Sequence, residues 1–407
     1  MRPGTKGFCG SRLREAREAR GLTAASFAEL VGVSAQSISA YEQTRATPGP
    51  DRLSRISEIL NLPLRYFTES GSFEDDSPIY WRSMAAATKT SRMRARRKYD
   101  WFRRIVGFLS KYVSIPELSI PPPINVQNPE EISDSTIEQV AARTREHFGI
   151  GGGAIDNLTW LLENNGVLIG FDSFGAATLD AFSQVCVDGH AYAILNGEHG
   201  TAVRFRFDLA HELGHMVLHR ALDAKHVANS SRNALMETQA HRFAAEFLMP
   251  AAVFAKHFYA PTIDAVKLSK RVWKVSLQAI VQHASRLSLI TEQQAQRLWK
   301  TLSAKGWRRT EPYDDMLEIE RPELMKSAFS SILDAKAASR DDILTALPFS
   351  GKEIESLCGL EAGTLVPADV QESVFDIGSV KRQSRPSVER SGKSADVINL
   401  EPRRNSK

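Results

Sequence analysis

Apolar positions in residues 9–70 recur at three- and four-residue steps in short runs divided by glycine and proline, which predicts a bundle of short helices. Ser11 can cap a first helix over 13–20, and Gly21-Leu22 ends it. Thr23 can cap a second helix running to Val31, with Phe27, Ala28 and Leu30 turned inward. Gly32 permits a tight turn, and Ser34 caps a third helix through Tyr41-Glu42. Pro48 and Pro50 break the chain before a fourth over 53–60. A helix, a glycine turn and a second helix is the geometry that sets a recognition helix in the DNA major groove.

Residues 71–79 read as a linker. A basic stretch with an apolar helical side follows: Arg82, Arg96, Arg97, Lys98, Arg103 and Arg104 accompany Trp101, Phe102, Val106 and Leu109. A solvated face on a connecting helix is the expectation there, with a second nucleic-acid contact as the sharper option. Pro116 and Pro121-Pro122-Pro123 mark the next boundary.

The pattern is helical over 135–148 and 157–164, then becomes a buried strand at 167–171 after Asn165-Gly166. Apolar runs at 181–187 and 191–195 are joined by Asp188-Gly189, a hairpin signal. Strong helical segments follow at 207–219 and 235–249, where Pro250 stops the second. Helices are expected again at 263–270, 277–287 and 291–304, with three more between 321 and 362. From Gly378 onward Ser, Lys and Arg replace apolar residues, and disorder is expected. The fold class is therefore mainly α and multidomain: an all-α helix-turn-helix unit at 9–70, a connecting region at 71–134, an α+β domain at 135–260, a helical region at 261–375 and a tail at 376–407.

Composition narrows the class without naming a partner. The chain has 407 residues, 42% hydrophobic and 25% charged, with a formal net charge of +4. That is the profile of a globular protein, and the charge is too small to select a nucleic acid or a membrane. Cys9, Cys186 and Cys358 are few, distant and odd in number, which fits a reducing compartment better than a disulfide framework. No signal-peptide core and no membrane-spanning apolar run is present, so the expectation is a cytoplasmic protein with no membrane partner.

The chemistry concentrates in His211-Glu212-Leu213-Gly214-His215. Residues i and i+4 share a helical face, so both imidazoles can reach one zinc ion, and Glu212 can take a proton from a water on that ion. A third protein ligand is needed, with the fourth position left to water. On the next helical segment Glu237, Ala240, Ala244 and Leu248 fall near one face, which favours Glu237 as that ligand, while His241 is the competing candidate. His219 lies roughly 12 Å along the axis from His211, too far for one ion, and reads as a supporting or packing residue. Tyr192, His190 and Tyr259 are the candidates for an oxyanion stabiliser, and Arg204 and Arg206 read as salt-bridge formers.

The run from Arg204 to His219, followed by Glu237-x-x-Ala240-x-x-Phe243-Ala244-Ala245-x-x-Leu248-Met249-Pro250, resembles the ImmA/IrrE family of bacterial metallopeptidases. The resemblance covers roughly 140–250. It implies a zincin-like domain in which His211, His215 and Glu237 hold zinc and Glu212 is the general base. It further implies a protein substrate, a repressor whose cleavage switches genes on, and a sheet edge that accepts an extended peptide.

Gly21-Leu22-Thr23…Phe27-Ala28…Gly32-Val33-Ser34…Ile38-Ser39…Glu42…Pro48 resembles the Xre/Cro-type helix-turn-helix family. By position, Ser34, Gln36, Ser37 and Ser39 are the DNA-facing candidates, and Gln36 suits adenine. Ala24 stands where members often carry a phosphate-anchoring Gln, so Arg45 and Arg52 are the substitute phosphate contacts. Such domains commonly bind as dimers, which makes a homodimer an option. Two functional readings follow. One is a zinc endopeptidase fused to a DNA-binding domain and acting on a repressor. The other is a regulator whose zinc domain only senses a ligand or holds the fold.

Overall fold

The structure is a computed structural model describing residues 4–68, 80–81, 88–172, 181–186, 188–197, 200–223, 225–226 and 229–366. The linker expected at 71–79, Arg82 and the tail expected at 376–407 lie outside the described residues.

The N-terminal bundle comprises α1 (Gly10–Ala19), α2 (Ala24–Val31), α3 (Ala35–Glu42) and α4 (Pro50–Leu60). Thr23 and Ser26 form a reciprocal capping box on α2, and Ser34 accepts the Ser37 amide to cap α3. Gly32 turns between these helices with φ +76°, a conformation other residues adopt only under strain. Two expectations shift. Cys9, not Ser11, precedes α1, and Pro50 is the first residue of α4 rather than a break before it, because proline's missing N–H costs nothing at that position.

Helix α5 (Lys89–Leu109) is followed by α6 (Asp134–His147) and α7 (Leu158–Asn164). The sheet comprises β1 (Tyr80–Trp81), β2 (Val167–Asp172), β3 (Ala181–Val185) and β4 (Ala191–Asn196), in the order β1-β3-β4-β2. β3 and β4 form the expected antiparallel hairpin, β2 runs parallel to β4, and β1 pairs antiparallel on the outer edge of β3. The remaining described helices are α8 (Ala202–Leu218), α9 (Ser230–Leu248), α10 (Ala251–His257), α11 (Ile263–Trp273), α12 (Leu277–Arg286), α13 (Glu292–Ala304), α14 (Leu324–Asp334), α15 (Arg340–Ala346) and α16 (Gly351–Leu357).

Alternation along the strands divides the interior into two cores. Leu168, Phe182, Tyr192 and Ile194 join the bundle, α5 and α14–α16. Ile169, Ala181, Ala193 and Leu195 face the opposite way, toward α6–α9 and the helices between 251 and 304. The C-terminal helices thus return to the N-terminal bundle: Arg20 Nη1 meets Glu353 Oε2 at 2.6 Å, and Arg65 donates to the Leu347 carbonyl at 2.6 Å.

The expected solvated face of the basic helix is confined to its first turns, where Lys89 is exposed and Arg92, Arg94, Arg96 and Arg97 are half-buried. Lys98, Arg103 and Arg104 of α5 are buried and ion-paired. Arg104 reaches Glu15 at 3.0 Å, Arg97 reaches Glu18 at 2.9 Å, Arg103 reaches Asp188 at 3.3 Å, and Lys98 sits between Glu353 and Asp172. Their acidic partners come from α1, the hairpin turn, β2 and α16. Pairing across elements is what allows so many cations to leave water.

Candidate metal centre

Every residue of α8 except Arg204 is buried, because the helix is sandwiched between the sheet and α9. Gly214 makes this approach possible: a Cβ there would lie 3.2 Å from the Ala240 Cα and 3.0 Å from Phe243. The close crossing brings Glu237, one turn before Ala240, over the pair of histidines.

His211 Nε2 and His215 Nε2 are 3.1 Å apart. Glu237 places one carboxylate oxygen 3.2 Å from His211 Nε2 and the other 3.4 Å from His215 Nε2. His211, His215 and Glu237 are the only group of three or more potential metal ligands found among the described residues, with ligand atoms all within 4.8 Å of one another. Two imidazoles and a carboxylate are a zinc-type donor set that leaves a position open. The imidazoles are buried, whereas the Glu237 side chain is 20% exposed, so the cluster opens to solvent from the α9 side. Burial raises the Glu237 carboxyl, but His215 and His211 outweigh it and hold the group below the usual carboxylate range. The donor set fits zinc.

His241 does not join this cluster. Its ring stacks at an angle on Phe207, 4.7 Å between centroids, and stands 6.2 Å from the His211 ring. Glu237 and His241 share a helical face, but His241 lies one turn further along α9, where its ring is packed on Phe207.

Glu212 is fully buried beside the pair and accepts a 2.6 Å hydrogen bond from Ser183 Oγ of β3. His219 follows the pair by one further turn, with its Nδ1 3.0 Å from His215 Nδ1 and its Nε2 3.1 Å from Gln239 Oε1. Burial, then the neighbouring His215, lowers the His219 pKa well below its ordinary value. Ser183 and Gln239 escaped the sequence reading. A serine in an apolar strand run carries no signal, and Gln239 sits about 200° around α9 from Glu237.

Tyr192 is on the sheet face opposite α8, where its hydroxyl donates to Asp188 at 3.1 Å, so it cannot reach the cluster. His190 is half-buried at the hairpin, packed on Tyr192, and Tyr259 is 69% exposed. Arg206 is salt-bridged to Glu320, as expected for this position.

On α3, Gln36 is exposed. The Ser34 and Ser37 hydroxyls meet at 2.9 Å within the cap, and Ser39 accepts from Gln43 at 3.0 Å. Arg45 and Arg52 are both exposed, Arg52 within 3.3 Å of the Tyr41 hydroxyl. The elements that cover the bundle approach α1, α4 and the turn after it, leaving this surface of α3 open.

Residues 162–285 match the family model of the IrrE N-terminal-like domain, a Peptidase_M78 domain, and residues 13–67 match a helix-turn-helix model. Two proteins described as uncharacterized HTH-type transcriptional regulators, from Sinorhizobium medicae (strain WSM419) and Rhizobium meliloti (strain 1021), are each 38% identical over 60 residues. The match covers 15% of this chain and 43% of the length of each relative. The chain thus combines a helix-turn-helix DNA-binding domain of the Xre type with an ImmA/IrrE-type, metallopeptidase-like domain. Among the described residues, no helix is long and apolar enough to cross a membrane.

Proposed function

We propose that this protein is a zinc-dependent endopeptidase tied to a DNA-binding domain, and that it regulates transcription by cleaving a repressor protein. The observation that carries the reading is the convergence of His211, His215 and Glu237 with a buried carboxylate, Glu212, on the same helix beside them. A purely structural zinc would need no such base.

His211, His215 and Glu237 would hold the ion. Zinc bound there supplies Lewis-acid activation of water and of the scissile carbonyl. Glu212 accepts the proton of the attacking water and returns it to the leaving amine nitrogen. Ser183 fixes one oxygen of Glu212 by donating to it. Gln36 on the open surface of α3 reads a base edge, while Arg45 and Arg52 contact phosphate.

A survey of new protein N-termini in the native cell tests this, comparing wild type with Glu212→Gln, with and without DNA damage. The expected result is a set of termini that vanishes in the variant and identifies the substrate. No Glu212-dependent terminus in any condition would transfer the weight to a non-proteolytic regulator whose zinc domain senses a ligand or holds the fold.

A further inference from the structure

We propose that the first turns of α5 belong to the DNA-contacting surface, with Lys89 and Arg94 holding backbone phosphate beside the start of α2. This contact presupposes that the bundle binds DNA, and it comes from outside the bundle. α5 lies antiparallel on α1, so its partners run in opposite order along the two helices. Glu15 meets Arg104 at 3.0 Å and accepts from the Trp101 indole at 2.8 Å, and Glu18 meets Arg97 at 2.9 Å. One turn further on, a Cβ at Gly21 would lie 3.5 Å from Arg94 Cδ and 3.9 Å from Thr90 Cγ2. The start of α5 therefore reaches past the end of α1, alongside the turn that leads into α2.

The cations at this end differ from the rest of the helix. Arg96 and Arg97 pair with Asp100, and Lys98, Arg103 and Arg104 with the buried acids of other elements. Among the described residues Arg94 forms no ion pair, and its Nε has no hydrogen-bond partner. Glu18, the acid one turn back on α1, is already held by Arg14 and Arg97. Lys89 is exposed in a first turn that contains no acid, where a positive charge opposes the helix dipole. Nothing within α5 rewards a cation there, whereas an anion from outside would.

The receiving end lacks what α5 offers. The first helix of a helix-turn-helix crosses the DNA backbone. Yet α2 opens with Thr23, whose hydroxyl is engaged in the capping box, and then with Ala24, so it presents no cation of its own. The contact would also tie the duplex to the sheet, because Lys98 and Arg103 of the same helix pair with Asp172 and Asp188.

The test is binding of the full chain to a mixed-sequence DNA duplex, followed by fluorescence anisotropy across a salt series. The slope of log K against log salt should flatten by about 1 in Lys89→Ala and in Arg94→Ala, and by about 2 in the double variant. Arg94→Lys keeps the charge and should keep the slope. Lys89→Ala removes a charge that the helix start disfavours, so it folds at least as well as wild type and decides the matter should Arg94→Ala not fold. Lys300→Ala removes an equal, exposed charge from α13 and should leave the slope unchanged. Equal flattening in Lys300→Ala would reduce the effect to net charge and overturn the proposal. An unchanged slope in Lys89→Ala and the double variant, beside a flattened one in Arg52→Ala, would overturn it too while leaving the bundle as the DNA-binding unit. A wild-type chain that binds no duplex would take down both readings.

Discussion

Helices α5 and α8 are both buried and both carry polar groups into the interior, yet they use them in opposite ways. On α5 the buried cations are matched by groups from other elements: Glu15 of α1, Asp172 of β2, Asp188 of the hairpin turn and Glu353 of α16. Only Asp100 pairs within its own helix, with Arg96 and Arg97. On α8 Arg206 is likewise paired outward, with Glu320, but the histidines converge on one another and on Glu237. Charges dispersed among distant partners weld elements together. Charges gathered at one point, with a carboxylate opening to solvent, cost stability and make sense as chemistry.

Four measurements bear on this contrast, and the largest effect belongs to α8. Glu212→Gln should lower the cleavage rate 10²–10⁴-fold while zinc stays bound and folding stability changes by less than about 1 kcal/mol. A large stability loss instead would move Glu212 into the structural class. Next comes the α5 side, where Glu353→Ala strands Arg20 and Lys98 without their shared carboxylate. Chemical denaturation should show a loss of about 3–5 kcal/mol; a loss below 1 kcal/mol would mean that water already reaches these cations.

Stripping zinc should lower stability by about 2.7 kcal/mol relative to zinc at one hundred times its dissociation constant. The same treatment of a Glu237→Gln chain should shift stability less, since it removes a charged ligand. The smallest effect is on α3: Gln36→Ala should weaken specific DNA binding by about 1–3 kcal/mol. Its unfolding curve should overlay that of wild type.

Features encoded by near neighbours were readable from the chain. Thr23 and Ser34 announce their helices, Asp188-Gly189 announces the hairpin, and the four-residue step from His211 to His215 defines a shared face. The helical character of 89–109 was equally plain. Its burial was not, because Glu15 and Glu353 stand far from Arg104 and Lys98 along the chain and no periodicity links them. The same holds at the candidate centre. Helical spacing favoured Glu237 over His241, but Ser183 meets Glu212 only after a strand is laid against α8, and Gln239 meets His219 only after α9 crosses it.

The outer edge of β3 carries one further consequence. Tyr80 stands opposite Ser183 and Trp81 opposite Phe182, so that rim of the sheet is already occupied beside the residue that holds Glu212. Any extended peptide that seeks the same register arrives as a rival to the chain's own backbone. Its apparent affinity is then its intrinsic affinity multiplied by the fraction of molecules in which Tyr80 and Trp81 have let go. Whatever lengthens the tenancy of those two residues weakens the newcomer by the same factor, without touching a single atom of the histidine cluster.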